Sequence, residues 1–338
     1  MAYTGIDFNN LTLPCDALTD LGQLVKMDVL SPERLGSLVS IYPNVVNGER
    51  IGFYGNFGLI AKAEEGCDPT YDQKTIDTAE KQWDLKWWQI SLKLCWRDYE
   101  ATLLKYKFHS KTRVDDLDFY RAWLANILLE DVQRNINAMA WFGDTSYSGE
   151  HTTLAVTDGF WKRLFAICAD DEARHTTIAS QEKSAMLESG VASGVLDNLI
   201  MDADPVLRGA SNQVIYITLA MKDALDYDLK HNNIGSELQW KSLFDGITEG
   251  TYNGIKLMAI PEWDSTIKGY LSDQEAPVKN LYRAVYTSVD NLLLGISGDN
   301  TLALIDSWQE RKDRANYLMV KDGLATMIAQ DNLVQVAY

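Results

Sequence analysis

Apolar and polar side chains alternate most strongly across residues 81–96, KQWDLKWWQISLKLCW. Trp83, Leu85 and Trp87 alternate with Asp84 and Lys86. Trp88, Ile90, Leu92, Leu94 and Trp96 then alternate with Gln89, Ser91, Lys93 and Cys95. A period of two predicts one long strand. The slip of phase at Trp87-Trp88 predicts a β-bulge or sharp twist within it. Rings as large as these bury much area and need a partner surface. The stretch therefore reads as an ordinary half-buried strand or as one that meets another copy of the chain. Upstream, residues 50–63 are strand-like but broken by Gly52, Gly55 and Gly58, and a glycine-containing turn region covers 66–71. Residues 48–108 together read as an extended two-stranded loop.

A second pattern follows. From Asp115 to Trp141 there is no Pro and no Gly, and Leu124, Leu128, Val132, Ile136 and Met139 recur at helical spacing. Asp115 and Asp116 suit the positive end of a helix dipole, and Gly143 is placed as a stop. At 1.5 Å per residue such a helix is about 40 Å long, well beyond the usual globular helix. Residues 1–47 read as an arm with two short helices, one starting at Ser31-Pro32-Glu33. Residues 157–167 read as an Asp-Gly turn and a short helix, and 180–202 as one further helix. Residues 213–220, QVIYITLA, read as a buried strand with a helix behind it at 221–229. A strand follows the Asn253-Gly254 turn up to Ile260. Residues 280–294 have strand character with a helix-compatible middle. The last 35 residues read as strand, turn and strand, ending on Val334, Val336 and Tyr338, an apolar terminus that predicts packing in a sheet.

Composition narrows the function classes. A chain of 338 residues with 46% hydrophobic and 23% charged residues is long enough for a substantial globular core. No apolar run approaches the roughly 20 residues needed to span a bilayer, so no membrane partner is expected, and the first ten residues lack the pattern of a secretory signal. The net charge of −17 argues against gripping nucleic acid, which needs phosphate-neutralising cations. It is compatible with enclosing nucleic acid behind an acidic wall, and equally with a solvated acidic surface. The four cysteines, Cys15, Cys67, Cys95 and Cys168, are scattered and read as reduced thiols, with a Cys67–Cys95 disulfide left open.

Catalytic signatures are missing from the sequence. It has no dinucleotide or phosphate-binding glycine loop, no nucleophile elbow and no zinc-protease motif. The histidines, His109, His151, His175 and His231, are dispersed. Glu172-Ala-Arg-His175 matches half of a di-iron motif, but such a site needs a second copy. It reads as a solvated helix turn. The acids at 170–172 and at Asp202 and Asp204 lack the glycine and spacing of a calcium loop. No catalytic, cofactor or metal site is assigned, and no enzyme is expected.

The order of elements resembles a known family. Cys67 and the run Leu94-Cys95-Trp96-Arg97-Asp98-Tyr99-Glu100-Ala101-Thr102, then Trp141-Phe142-Gly143-Asp144 with Thr157-Asp158-Gly159-Phe160-Trp161, then Asn253-Gly254-Ile255-Lys256-Leu257 ahead of Pro261, occur in sequence. In this order they resemble the major capsid proteins of tailed bacteriophages, the Hong Kong-ninety-seven-type fold, and most nearly a branch in phages and prophages of Bacteroidetes.

The resemblance implies an α+β fold with a non-enzymatic, shell-forming role. Residues 1–47 would be an N-terminal arm and 48–108 the extended hairpin loop lying over a neighbour. Residues 109–178 and 300–338 would form the peripheral domain, with a spine helix at 115–141, and 179–299 the axial domain. The partner would be the chain itself, in pentamers and hexamers building an icosahedral shell that encloses double-stranded DNA. Further partners would be a portal and either a separate scaffolding protein or none. The location would be the virion capsid, and the host cytoplasm during assembly. Trp83, Trp87, Trp88, Ile90 and Trp96 would supply the subunit interface. Some family members join a hairpin Lys to an Asn of a neighbour; Lys81, Lys86 and Lys93 are available, but nothing marks one as reactive. The alternatives are an encapsulin-like cellular compartment, which a cargo-peptide gene nearby would favour, or another self-associating phage structural protein.

Overall fold

The computed structural model describes residues 35–54, 78–95, 117–231, 238–243, 246–298, 304–310 and 315–338. A helical turn at Leu35–Leu38 leads into β1 (Ser40–Tyr42), β2 (Arg50–Tyr54), β3 (Thr78–Gln82) and β4 (Lys86–Cys95). Then come α1 (Leu117–Phe142), α2 (Phe160–Asp170), β5 (His175–Thr176) and α3 (Val191–Met201). They are followed by β6 (Gln213–Thr218), α4 (Leu219–His231), β7 (Lys241–Ser242), β8 (Thr248–Tyr252), β9 (Ile255–Ile260) and α5 (Pro261–Tyr270). The chain closes with β10 (Ala284–Ser288), β11 (Leu292–Ile296), β12 (Leu304–Glu310), β13 (Ala315–Ile328) and β14 (Val334–Ala337). The architecture is mixed α+β.

Three sheets organise these strands. A seven-stranded sheet runs β5-β14-β10-β6-β9-β8-β7. A five-stranded sheet is built around β13, which pairs antiparallel with β4, β11 and β12, while β1 joins β11 in parallel. The third sheet is the antiparallel pair β2–β3. This pair is one described part of the two-stranded loop expected over 48–108; the other, β4, pairs with β13 in the five-stranded sheet, and residues 55–77 and 96–108 lie outside the described residues. Sheet membership cuts across the expected segments. β11, within 179–299, lies in the five-stranded sheet, and β14, within 300–338, lies in the seven-stranded one.

The middle of the run QVIYITLA, residues 214–217, is apolar throughout because both faces of β6 are covered. Val214 and Tyr216 join the main core with α1, α2 and α5, while Ile215 and Ile217 pack with α3 and α4 on the opposite face. Each face takes every second residue, so no polar position remains to reveal the alternation. Asn253 and Gly254, with φ of 49° and 81°, make the tight turn between β8 and β9 that the Asn-Gly pair predicts.

One helical expectation changes. The helix expected at 180–202 is broken: a turn at Lys183–Met186 precedes α3, and Gly190 between them has φ 79°. The acid that starts α3 comes from elsewhere. Asp228 of α4, almost fully buried, accepts from the backbone N–H groups of Gly190 (2.7 Å) and Ser193 (3.0 Å) and from the Ser193 hydroxyl (2.6 Å). Asp264 of α5 does the same for α4, accepting from Leu219 N–H at 2.6 Å and Ala220 N–H at 3.0 Å. Such caps satisfy donors that the helix itself leaves unpaired.

α1 occupies the span expected of the long helix, and its exit explains the motif pair found there. Gly159 N–H donates to Gly143 O at 2.7 Å. A Cβ on Gly159 would sit 2.6 Å from Gly143 N, and one on Gly143 would strike the Thr157 carbonyl. Gly143 thus ends the helix by allowing close backbone approach. Around this contact Trp141 meets Trp263 and Phe160 at 4.8 and 5.1 Å between ring centroids, and Trp161 meets Trp263 at 5.1 Å. The buried Arg283 guanidinium lies 4.7 Å over Trp161 and donates to the carbonyls of Val278 and Asn280. Burial pushes it down to about 9.

A clamp closes the same exit. Lys162 reaches Asp144 at 2.7 Å and Asp158 at 2.8 Å. Burial alone would raise both carboxyls. Hydrogen bonds from Lys162, with others from Ser146 and Thr145, outweigh it and hold both below the ordinary 3.8. Burial likewise pulls Lys162 down, and the two acids more than reverse it.

Two of the places where the chain passes between the large sheets, at 288–292 and 328–334, meet at Asn291, which pins them together. Its amide nitrogen donates to the carbonyls of Gln330 (3.0 Å) and Leu333 (3.2 Å), and its amide oxygen accepts from Gln330 N–H at 2.7 Å. Its own carbonyl accepts from Ala329 N–H at 2.9 Å.

Replacing Asn291 with Leu takes the acceptor from the Gln330 N–H and one of the donors from each of the Gln330 and Leu333 carbonyls, and is expected to cost about 1–3 kcal/mol. A urea titration reads this as a lower midpoint with an unchanged slope; an unshifted midpoint would remove the pin from the account. For the clamp, folded carboxyl values below the unfolded 3.8 mean a stabilisation that is complete above about pH 4 and lost as pH falls through the folded values. Lys162→Met is therefore expected to lose less stability than the wild type between about pH 4 and 2. Parallel stability profiles for the two proteins would contradict the clamp.

Candidate assembly surface

The five residues expected at a subunit interface separate into distinct environments. Trp83 is 2% exposed, Trp88 5% and Trp87 53%, while Ile90 is half-buried. Trp96 lies outside the described residues. The slip of phase is real, but it does not sit in one continuous bulged strand. The strand breaks at 83–85, where Leu85 N–H bonds the Asn47 side chain (3.0 Å) in place of a ladder partner.

This break turns Trp83 and Leu85 into the body. Gly295 and Gly323 form their sockets. A Cβ on Gly295 would lie 3.0 Å from the Trp83 ring, and one on Gly323 would lie 3.1 Å from Leu85 Cδ2. With Val45, Leu293, Ala325 and Met327 they make a small core apart from the main one. Trp88 faces the other way and packs into the main core that also holds Val132, Ile136, Val320 and Leu324. Trp83 and Trp88 therefore have almost no surface left to offer a neighbour. Of the expected tryptophans with described side chains, Trp87 alone projects from the body.

Trp87 stands on the outer face of the β4–β13 ladder, opposite Gly323. Along β4 the exposed side chains on this face are Trp87, Gln89, Ser91 and Lys93; β13 adds the half-buried Tyr317, Met319 and Lys321. Lys321 Nζ lies 5.2 Å over the Trp87 ring, and Lys93 Nζ 5.3 Å over Tyr317. Such pairing holds flat aromatic area at the surface with its polar neighbours satisfied. Other large apolar side chains are exposed at Tyr42 and Val46, near Trp83, and at Met201 and Val206 beyond α3. Hydropathy patterning missed Lys321, Tyr42, Val46 and Met201, because single exposed side chains leave no periodic signal.

The remaining candidate chemistry resolves into packing. Among the described residues no three His, Cys, Asp or Glu side chains are grouped to hold a metal, and no helix is long and apolar enough to cross a membrane. Glu172 lies in a 3₁₀ turn, not a helix, and His175 in β5 stacks on Tyr338 at 4.1 Å. His151 meets Tyr270 edge-on at 4.6 Å, and His231 stacks on Tyr227 at 4.0 Å. Burial pushes the Cys168 thiol up to about 12, which keeps it protonated and unreactive at neutral pH. Cys15, Cys67 and His109 lie outside the described residues, as does the Cys95 side chain. A cavity of about 340 Å³ between α1 and α5 is lined by Arg134, Asn137, Trp141, Glu262, Ser265 and Tyr270, among others. The Ser265 hydroxyl donates to the Glu262 backbone carbonyl (2.9 Å), and the Glu262 carboxylate accepts from Asn137 Nδ2 at 2.9 Å.

No protein-family model matches the chain, and no curated protein matches it. Solved structures do match. A chain of the satellite phage P4 procapsid, in a structure including the size determination (Sid) protein, aligns with a TM-score of 0.54 at 10% identity, covering 93% of this chain and 98% of that one. A chain of Gordonia phage Cozz aligns at 0.54 and 12% identity, over 90% and 85%. A chain from the capsid of an empty GTA particle aligns at 0.53 and 10%, over 91% and 89%. At these identities the likeness is one of fold, and it extends over nearly the whole of each chain. The chain has a tailed-phage and GTA capsid-like fold, of the Hong Kong-ninety-seven kind.

Proposed function

We propose that the chain is the shell-forming subunit of a tailed phage or prophage, a major capsid protein of the kind found in phages of Bacteroidetes. The observation that carries the proposal is the correspondence of fold across about nine-tenths of this chain and of the capsid chains it matches. In this reading the chain self-assembles through pentamers and hexamers into an icosahedral shell enclosing double-stranded DNA. Repeated heterologous contacts between identical subunits close such a shell. A net charge of −17 suits a container wall that does not adhere to packed polyanion. A portal and a separate scaffolding protein are the further partners, with assembly in the host cytoplasm.

The sheets give the roles physical content. The β2–β3 pair begins the loop that reaches a neighbour. α1 and the five-stranded sheet form the peripheral part, and the seven-stranded sheet with α3 and α4 forms the axial part. The outer face of β4, centred on Trp87, is a subunit contact. A buried aromatic anchor typically contributes about 2 kcal/mol or more to an interface, and a shell repeats that contribution at every equivalent contact.

Sedimentation velocity tests this reading. The wild type is expected to sediment as large closed assemblies, alone or with scaffolding protein or crowding agent added. Trp87→Ser is expected to keep the wild-type melting profile and remain unassembled. Trp88→Ser, which empties a buried site, is expected instead to lose about 3–5 kcal/mol of stability. Shells of full size from the Trp87 variant would remove this face from the interface.

A further inference from the structure

The β2–β3 arm shares no ladder with either large sheet. A two-stranded sheet on its own is marginal in water, so something else must hold it. Its root is fixed through Trp83, whose N–H donates to Glu49 O and whose carbonyl accepts from Gly48 N–H, both at 2.9 Å, while the ring fills the Gly295 socket. One step further out, Ile51 and Lys81 are register partners across the arm. Ile51 packs against the small core holding Met327, with Ala329 beside it. Lys81 Nζ donates to the Ile328 carbonyl at 2.8 Å and to Asp331 Oδ1 at 2.5 Å. Its two acceptors lie at the end of β13 and in the turn before β14, the passage that Asn291 pins.

We propose that Lys81 is a latch: it fixes the angle of the β2–β3 arm against the body by bridging the arm to the β13–β14 turn, beyond a pivot formed by Trp83, Asp84 and Leu85. The geometry has the parts a latch needs. The connection at 83–85 has no ladder partner in either large sheet. Ile51 and Lys81 contact the body beyond that pivot. Lys81 is only 29% exposed, so its charge-assisted bonds are partly shielded from solvent. The latch belongs to the single subunit; only its consequence, setting where a neighbour is met, rests on the proposed function.

Hydrogen exchange followed by mass spectrometry on the full chain tests the latch. Lys81→Met removes both bonds and keeps the apolar stem. Amides of 50–54 and 78–82 are expected to exchange roughly tenfold faster or more, while those of 318–328 keep wild-type rates. Asp331→Asn retains an acceptor without the charge, and a smaller acceleration confined to the same arm is expected. Wild-type exchange in the arm of the Lys81 variant would overturn the latch. So would an equal acceleration in 318–328, which would report general destabilisation. Shell formation by the wild type is read separately, so failure of the capsid reading and failure of the latch are distinguishable.

Discussion

The carboxamide of Asn291 holds together two of the places where the chain passes between its large sheets. One passage carries β10 into β11 and the other carries β13 toward β14. Because both meet at one buried side chain, a shift of either sheet at this junction would break part-buried hydrogen bonds. The other packing follows from that junction. The seven-stranded sheet is covered on both faces. The five-stranded sheet lies against α1, and the exit of α1 is closed by the Gly143–Gly159 contact and the Trp141, Trp161 and Trp263 rings. Asp228 and Asp264 then tie helix to helix, each buried acid capping the start of the helix before its own.

Much of this was legible in the chain. The span of α1, the Asn253-Gly254 turn and the apolar run at β6 are local signals, set by periodicity or by turn chemistry. The motif pair at 141–144 and 157–161 marks a real contact, since only glycine fits where the two backbones touch. What the pattern could not convey is partnership across long separations. The alternation from Trp83 to Trp96 reads as one strand. Trp83 and Leu85 lie in the connection at the root of a separate arm, residues 86–95 form the ladder with β13, and the glycines that receive Trp83 and Leu85 lie more than two hundred residues away. The helix expected across Gly190 fails for a similar reason, because its capping acid sits on α4.

The residues expected at an interface illustrate the same limit. Adjacent tryptophans look equivalent in a sequence, yet Trp88 fills the core while Trp87 lies on the surface beside Lys321. An assembling subunit needs both kinds: buried rings to make a body rigid enough to transmit position, and exposed rings to meet the next copy. The arm adds a third requirement, a defined direction. Trp83 in its glycine socket and Lys81 on the β13–β14 turn tie that direction to the junction at Asn291. In this view the contact between copies and the stability of each copy are linked through one short stretch of chain.

Electron microscopy of particles formed by the expressed chain, with scaffolding protein supplied where needed, tests the central claim most directly. The account predicts closed shells whose vertices resolve into five-fold and six-fold clusters of this subunit, with the β4 face buried between copies. A folded chain of 38.1 kDa that stays monomeric under all these conditions would contradict it.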